Sequence, residues 1–192
     1  KIRALRKRNG LTLEDLSMRC LQADPKAEVV LIPMADGGEG TVEALVASTG
    51  GRIKKETVHG PLGEKIRAQY GILGDNETAV IEMASASGLP LVPYNKRNPL
   101  HTTTYGTGEL IAAALRQKIS TIIIGIGGSA TNDCGAGMAQ ALGVEFYNFD
   151  GDRIQNLLTG GLLGNVESID LHKMINVLAD VCIIAACDLN NI

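Results

Sequence analysis

The chain has 192 residues, of which 45% are hydrophobic and 20% charged, and its net charge is −3. That balance suits a globular protein with a buried core and disfavours non-specific attachment to nucleic acid or to an anionic membrane surface. Aromatic residues make up 3% and tryptophan is absent, which argues against base-stacking platforms. No apolar run approaches the ~18 residues of a membrane span, and the basic start "KIRALRKR" lacks the apolar stretch of a signal peptide. The expectation is therefore a cytoplasmic protein with no membrane and no nucleic-acid partner. The four cysteines, Cys20, Cys134, Cys182 and Cys187, have no metal-site spacing and read as buried thiols of a reducing compartment.

Taken in order, residues 1–22 read as helix–turn–helix: "IRALRKR", "NG", then "LTLEDLSMRCL" with Thr12 as N-cap and Asp15 three residues on. "EVVLIPM" (28–34) reads as a short buried strand and "ADGGEG" (35–40) as a tight loop. "TVEALVAST" (41–49) has helical spacing and is stopped by Gly50 and Gly51. "RIKKETVHG", "KIRAQYGIL" and "TAVIEMA" read as three strands separated by the turns "GPLG" and "GDNE". After "ASGLPLVP" and the loop "YNKRNPLHTTTYGTG", an amphipathic helix is expected over 109–118. A fully buried β-branched strand follows over 120–126. A helix over 136–142, the strand 144–148, the turn "FDGD", a short helix over 171–178 and a buried strand over 181–186 complete the chain. Strands alternating with helices place it in the α/β class.

The chemistry gathers in the loops. "IGIGGSATNDCGAG" puts glycines and hydroxyls between a buried strand and a helix. Glycines let the backbone approach a ligand, helix starts offer unpaired N–H groups, and the hydroxyls of Ser129 and Thr131 and the amide of Asn132 add donors. Gly127, Gly128, Ser129, Thr131 and Asn132 are the phosphate- or carboxylate-binding candidates. The competing reading is a structural turn without a ligand. Asp133 suits an N-cap, a metal-bridged phosphate or a general base. "PMADGGEGT" repeats the pattern with Asp36, Gly37 and Gly38; here Asp36 either caps the helix or points into a cleft. "RNPLHTTTYGTGEL" adds Thr104 among several hydroxyls, and Arg97 as either an anion fork or a surface ion pair. Asp188 ends an apolar strand, where open α/β sheets turn carboxylates toward a ligand crevice. Gly/hydroxyl loops at helix starts together with three loop aspartates are economical for phosphoryl transfer, which requires phosphate cradling, charge neutralisation and a positioned acceptor.

"PMADGGEGTVEAL", "GPLGEKIRAQYG", "AVIEMASASGLPLVP", "KRNPLHTTTYGTGELI", "IIIGIGGSATNDCGAGMAQALG" and "ACDLNN", in this order, closely resemble bacterial glycerate kinases of type I from about Glu28 to Asn191. The resemblance implies a two-domain α/β enzyme, here in part, with mixed or parallel sheets and a cleft between the domains. It implies phosphorylation of D-glycerate by ATP with Mg²⁺ carried on the substrate phosphates, the product being 2-phosphoglycerate. It assigns Asp36, Asp133 and Asp188 as catalytic candidates. Gly37, Gly38, Arg97, Thr104, Gly127, Gly128, Ser129, Thr131 and Asn132 become candidates for substrate and phosphate binding, with no protein metal ligand.

Three departures bear on this. Residues 1–22 lack the family's opening "APDSFK" and resemble the start of a repressor-type helix-turn-helix. Cys134 stands where the family has glycine. The chain is about half the family's length, so that 28–192 reads as an incomplete kinase region with a sub-domain boundary near 52–60. The alternatives are an inactive remnant or small-molecule binder and, from the first 22 residues, a DNA-binding regulator.

Overall fold

The structure is a computed structural model that describes residues 13–26, 28 and 40–187. The chain divides into two compact units, Lys1–Pro33 and Met34–Ile192. In the first, helix α1 (Leu13–Ala23) confirms the second of the two expected helices. The first of those helices, the Thr12 cap, the strand expected over 28–34 and most of the loop 35–40 lie outside the described residues, as does Asp188.

Among the described residues, the second unit is built on a five-stranded sheet. Helix α2 (Thr41–Thr49) has the expected bounds and ends on Gly50, which is left-handed at φ 67° as a glycine C-cap should be. Strands β1 (Arg52–His59) and β2 (Lys65–Ile72) form an antiparallel hairpin around "GPLG", and β2 pairs antiparallel with β3 (Thr78–Glu82). Helix α3 (Ala84–Ser87) is one turn long. Helix α4 (Tyr105–Leu115) leads to β4 (Thr121–Gly125), which lies parallel to β3. Then come α5 (Ala136–Ala141), the small antiparallel pair β5 (Glu145–Tyr147) and β6 (Ser168–Asp170), α6 (His172–Leu178) and β7 (Cys182–Ala186). β7 pairs parallel with β4, so the order across the large sheet is β1-β2-β3-β4-β7. The α/β class is as expected.

Alternation along the strands fills both faces. Tyr70, Ile72, Ala79, Ile81, Ile122 and Ile124 form one core with Leu110, Ile111, Ala113 and Ala114 of α4. Val80 joins Val42 and Val46 of α2, with Ile123 packed beside them, on the other face. Each fully buried Leu or Ile contributes about 1.5–3 kcal/mol by leaving water. Gly71 admits α2 to the sheet, since a Cβ there would stand 2.5 Å from Val46 Cγ2.

Four expectations are corrected. α4 begins at Tyr105, four residues before the expected start, so Gly106 and Gly108 are helical. Their glycines serve close packing: a Cβ would meet the His59 carbonyl oxygen at 1.8 Å or that of Met138 at 2.4 Å. β7 is not buried. It is the edge of the sheet among the described residues, with Cys182, Ile183, Ile184 and Ala185 all exposed. The cysteines are likewise exposed rather than buried, because Cys20 lies on an open helix face, Cys134 in a loop and Cys182 and Cys187 on or beside that edge. Residues 160–165 and β6, expected as loop, form a short 3₁₀ helix and a strand.

Candidate functional site

Parallel strands β3, β4 and β7 end together, and their carboxyl ends open onto a cavity of about 390 Å³. Met83, Ile126 and Ala185, each at or just past a strand end, line it with Ile124, Met138 and Ile183. The polar wall is Thr104, Thr107, Ser129, Thr131, Asn132 and Asp133, with Cys134 and Gly135. Open α/β sheets place ligands at this edge.

The loop from Ile126 to Gly135 is tied down along its length. The Leu89 N–H donates to the Gly128 carbonyl and the Ala130 N–H to that of Ser87, both at 2.9 Å, so the loop runs beside residues 87–89 as a short bridge. Thr102 Oγ1 donates to the Ala130 carbonyl at 3.0 Å. The Ser129 hydroxyl accepts from the Thr131 N–H at 3.1 Å and pairs with Thr131 Oγ1 at 2.9 Å, leaving both hydroxyls at the surface. Gly128 takes φ 76° and Gly135 φ 74°, conformations that glycine adopts without strain. Cys134 sits between them at φ 51°.

Asp133 is the hub. Its carboxylate is 1% exposed and collects four donors: Oδ2 accepts from the N–H and Oγ1 of Thr104, each at 2.8 Å, and from the Gly137 N–H at 3.1 Å. Oδ1 accepts from the Gly135 N–H at 3.2 Å. Thr104 Oγ1 in turn accepts from the Met138 N–H at 2.9 Å. One buried carboxylate thus locks the loop to the starts of α4 and α5. Three of the four donors fall on Oδ2 and one on Oδ1, so the carboxylate orients the walls of the cavity. Among the described residues no group of three His, Cys, Asp or Glu side chains could hold a metal ion.

Of the other sequence candidates, Gly127 and Gly128 lie in the same loop, and Asp36, Gly37, Gly38 and Asp188 are outside the described residues. Arg97 is not among the cavity residues. It is exposed, its Nε donates to the Val92 carbonyl at 3.3 Å, and its guanidinium lies 5.5 Å over the Tyr94 ring.

Sequence reasoning passed over Glu82. This last residue of β3 is 7% exposed, and its Oε1 accepts the Val42 N–H of α2 at 2.9 Å. Burial raises its pKa above the usual 4.5, against the hydrogen bonds from Val42, Thr41 and Gly40, while Glu43 adds to the rise. The signal was present, since a carboxylate closing an apolar strand is the same feature that singles out Asp188.

A sequence model of the glycerate kinase family matches residues 13–192. The chain belongs to the glycerate kinase family. The match takes in residues 13–27, upstream of the quoted motifs. Among relatives, the glycerate kinase of Bacillus subtilis (strain 168) is 55% identical over 167 residues, and the glycerate 2-kinase of Escherichia coli (strain K12) is 54% identical over 167 residues. Each match covers 87% of this chain and 43% of the relative, so the chain spans less than half the length of these curated relatives. A crystal structure of a protein assigned as glycerate kinase 2 of Salmonella typhimurium LT2 superposes with a TM-score of 0.79 at 50% identity, covering 89% of this chain and 46% of that one. No helix of the described residues is long and apolar enough to cross a membrane.

Proposed function

We propose that this glycerate kinase family chain contributes the phosphate-binding wall of an ATP-dependent kinase that phosphorylates D-glycerate, at the 2-hydroxyl by preference. An oxygen of the acceptor attacks the γ-phosphorus of ATP, the bond from that phosphorus to the bridging oxygen breaks, the hydroxyl proton is released, and ADP leaves. The observation that carries the reading is the cavity at the ends of β3, β4 and β7, walled by Ser129, Thr131 and Asn132 and held in shape by Asp133. Phosphoryl transfer depends on positioning and on electrostatic stabilisation far more than on covalent help from the protein.

In this assignment the hydroxyls of Ser129 and Thr131, the Asn132 amide and the loop amides around Gly127 and Gly128 meet phosphate oxygens. The apolar wall of Met83, Ile126 and Ile183 takes the less polar part of the nucleotide. Mg²⁺ travels on the nucleotide phosphates. Asp36, Gly37, Gly38 and Asp188 complete the proposed site. Thr104 and Asp133 shape it.

The test is equilibrium titration of the 192-residue chain with MgATP and with D-glycerate, alongside an assay of ADP release. Saturable binding of both, with MgATP binding weakened about tenfold or more by Asn132→Ala or Thr131→Val, supports the reading. Absence of saturable binding of either ligand overturns it.

A further inference from the structure

Among the described residues, β2 and β3 pair only at Gly71 with Val80 and Ile72 with Ala79, and toward the start of β2 the two strands part. Where the ladder stops, the Gln69 N–H donates instead to Ser85 Oγ of α3 at 3.0 Å. The gap between β2 and residues 82–85 is a cavity of about 550 Å³. Lys55 and Arg67 line it from the hairpin. The register sets Lys55 opposite Gln69 and Thr57 opposite Arg67, so the two cations are diagonal neighbours on one face, within reach of a single anion. Among the described residues neither cation takes part in an ion pair or a hydrogen bond. The carboxylates beside them are engaged elsewhere: Glu82 Oε1 accepts the Val42 N–H at 2.9 Å, and Glu43 Oε1 accepts the Gln69 side-chain amide at 2.5 Å. The charged groups left without a partner in this cavity are therefore both positive.

The candidate cavity at the ends of β3, β4 and β7 has no lysine or arginine among its described lining residues. The two cavities flank one short segment, for Met83 lines the first and Glu82, Ala84 and Ser85 line the second. We propose that the cavity between β2 and residues 82–85 receives the carboxylate of the acceptor, a small hydroxy acid, with Arg67 and Lys55 as its cationic partners and the Ser85 hydroxyl as a further donor. The proposal rests on the glycerate kinase reading for the identity of the acceptor. A carboxylate drawn out of water requires counter-charge and donors, and the walls assigned to the phosphates of ATP carry no cation for it. Arg67 offers a planar fork and Lys55 a point charge, while Pro90 and Leu91 give the carbon chain a short apolar wall.

The experiment titrates the 192-residue chain, Arg67→Gln and Lys55→Gln with D-glycerate, with glycerol and with MgATP, and follows the backbone amides by NMR. D-glycerate is expected to shift the amides of Arg67, Gln69 and Ser85. Its binding should weaken at least tenfold in Arg67→Gln and severalfold in Lys55→Gln, while MgATP binding stays within twofold of the parent chain. Glycerol, which has the same carbon chain without the carboxylate, should bind at least tenfold more weakly than D-glycerate and equally to the parent chain and Arg67→Gln. Unchanged D-glycerate affinity in both variants overturns the proposal, as does a D-glycerate response confined to residues 129–132. An equal loss of MgATP binding in Arg67→Gln overturns it too, since the side chain then does not act on the carboxylate in particular. D-glycerate held at Arg67 without any MgATP binding sinks the kinase reading and leaves the carboxylate site standing. Absence of D-glycerate binding to the parent chain sinks both.

Discussion

Asp133 and Thr104 are joined twice: one carboxylate oxygen accepts both the backbone N–H and the hydroxyl of the threonine, each at 2.8 Å. The same hydroxyl accepts the Met138 amide, so the pair closes a network between the loop, α4 and α5. Removing one side of a buried network leaves the other side unsatisfied, at about 1–3 kcal/mol per group. Asp133→Ala is expected to lower unfolding stability by about 3 kcal/mol or more, and Thr104→Val by about 1–3 kcal/mol. The double variant should cost less than the sum, with a coupling of about 0.5–3 kcal/mol. Urea denaturation of the four proteins measures this. Strict additivity would mean that the two side chains act independently.

Packing around that pair makes a second prediction. A Cβ on Gly137 would stand 2.2 Å from Thr103 Oγ1, 2.8 Å from the Tyr105 amide nitrogen and 2.9 Å from Asp133 Oδ2, whereas one on Gly164 would meet nothing within 4 Å. Gly137→Ala is therefore expected to destabilise by about 1–3 kcal/mol through overpacking. Gly164→Ala should stay within about 0.5 kcal/mol of the parent chain. Similar thermal midpoints for the two variants would contradict the close approach at Gly137.

Much of this was legible in the sequence where local signals agree with the fold. The apolar spacing of Val42, Leu45 and Val46 with the Gly50 stop gives α2 residue for residue, and "GPLG" and "GDNE" divide the strands at the right places. The misses occur where tertiary contacts override local signals. Gly106 and Gly108 look like loop residues but are helical residues that admit the His59 and Met138 carbonyls. β7 has the composition of a central strand and lies at an edge. Asp133 lines the candidate cavity, but nothing in "SATNDCG" tells that four donors will claim its carboxylate. Glu82 was missed because its partner, the Val42 amide, is 40 positions away.

Acid titration should expose Glu82. Its folded pKa lies above the unfolded value, chiefly because burial disfavours the charge. The native state then binds more protons than the unfolded chain between the two values. Glu82's share of stability is fully present below pH 4.5 and is lost as pH rises through the raised folded pKa. Asp75 works in the opposite direction. Its folded pKa is lowered, first by the Thr78 hydroxyl and then by the Thr78 and Glu77 amides, so its contribution is present above pH 3.8 and is lost as pH falls through the lowered value. Subtracting the stability–pH curve of Glu82→Gln from that of the parent chain should leave a difference that changes only above about pH 4.5. A flat difference would remove the buried-charge argument.

Cys134 is a further test at the loop. At φ 51° it occupies the left-handed region, which costs a non-glycine residue about 1–2 kcal/mol. Part of the relief offered by glycine is offset by the greater freedom of the unfolded chain, about 0.4–1 kcal/mol. Cys134→Gly should therefore raise stability by about 0.5–1 kcal/mol. Cys134→Val, branched at Cβ, should lower it. A loss of stability in Cys134→Gly would show that the thiol makes a contact worth more than the strain.

Turnover by these 192 residues alone is expected to be slow. The apolar wall of the candidate cavity lies open: Ile126 is 40% exposed and Ile183 42% exposed. Water in a phosphoryl-transfer site screens the interactions that stabilise the transferring group, and loss of a single well-placed electrostatic partner typically costs about 10²–10³ in rate. With ATP, Mg²⁺ and D-glycerate supplied, ADP release from the isolated chain should fall at least about a hundredfold below the ~10 s⁻¹ typical of enzymes. Saturable binding of the ligands should nonetheless persist, since binding asks only for the walls that are present. A rate near ~10 s⁻¹ would show that an open cavity with this loop suffices for transfer, and would shift the weight of catalysis onto Ser129, Thr131 and Asn132 themselves.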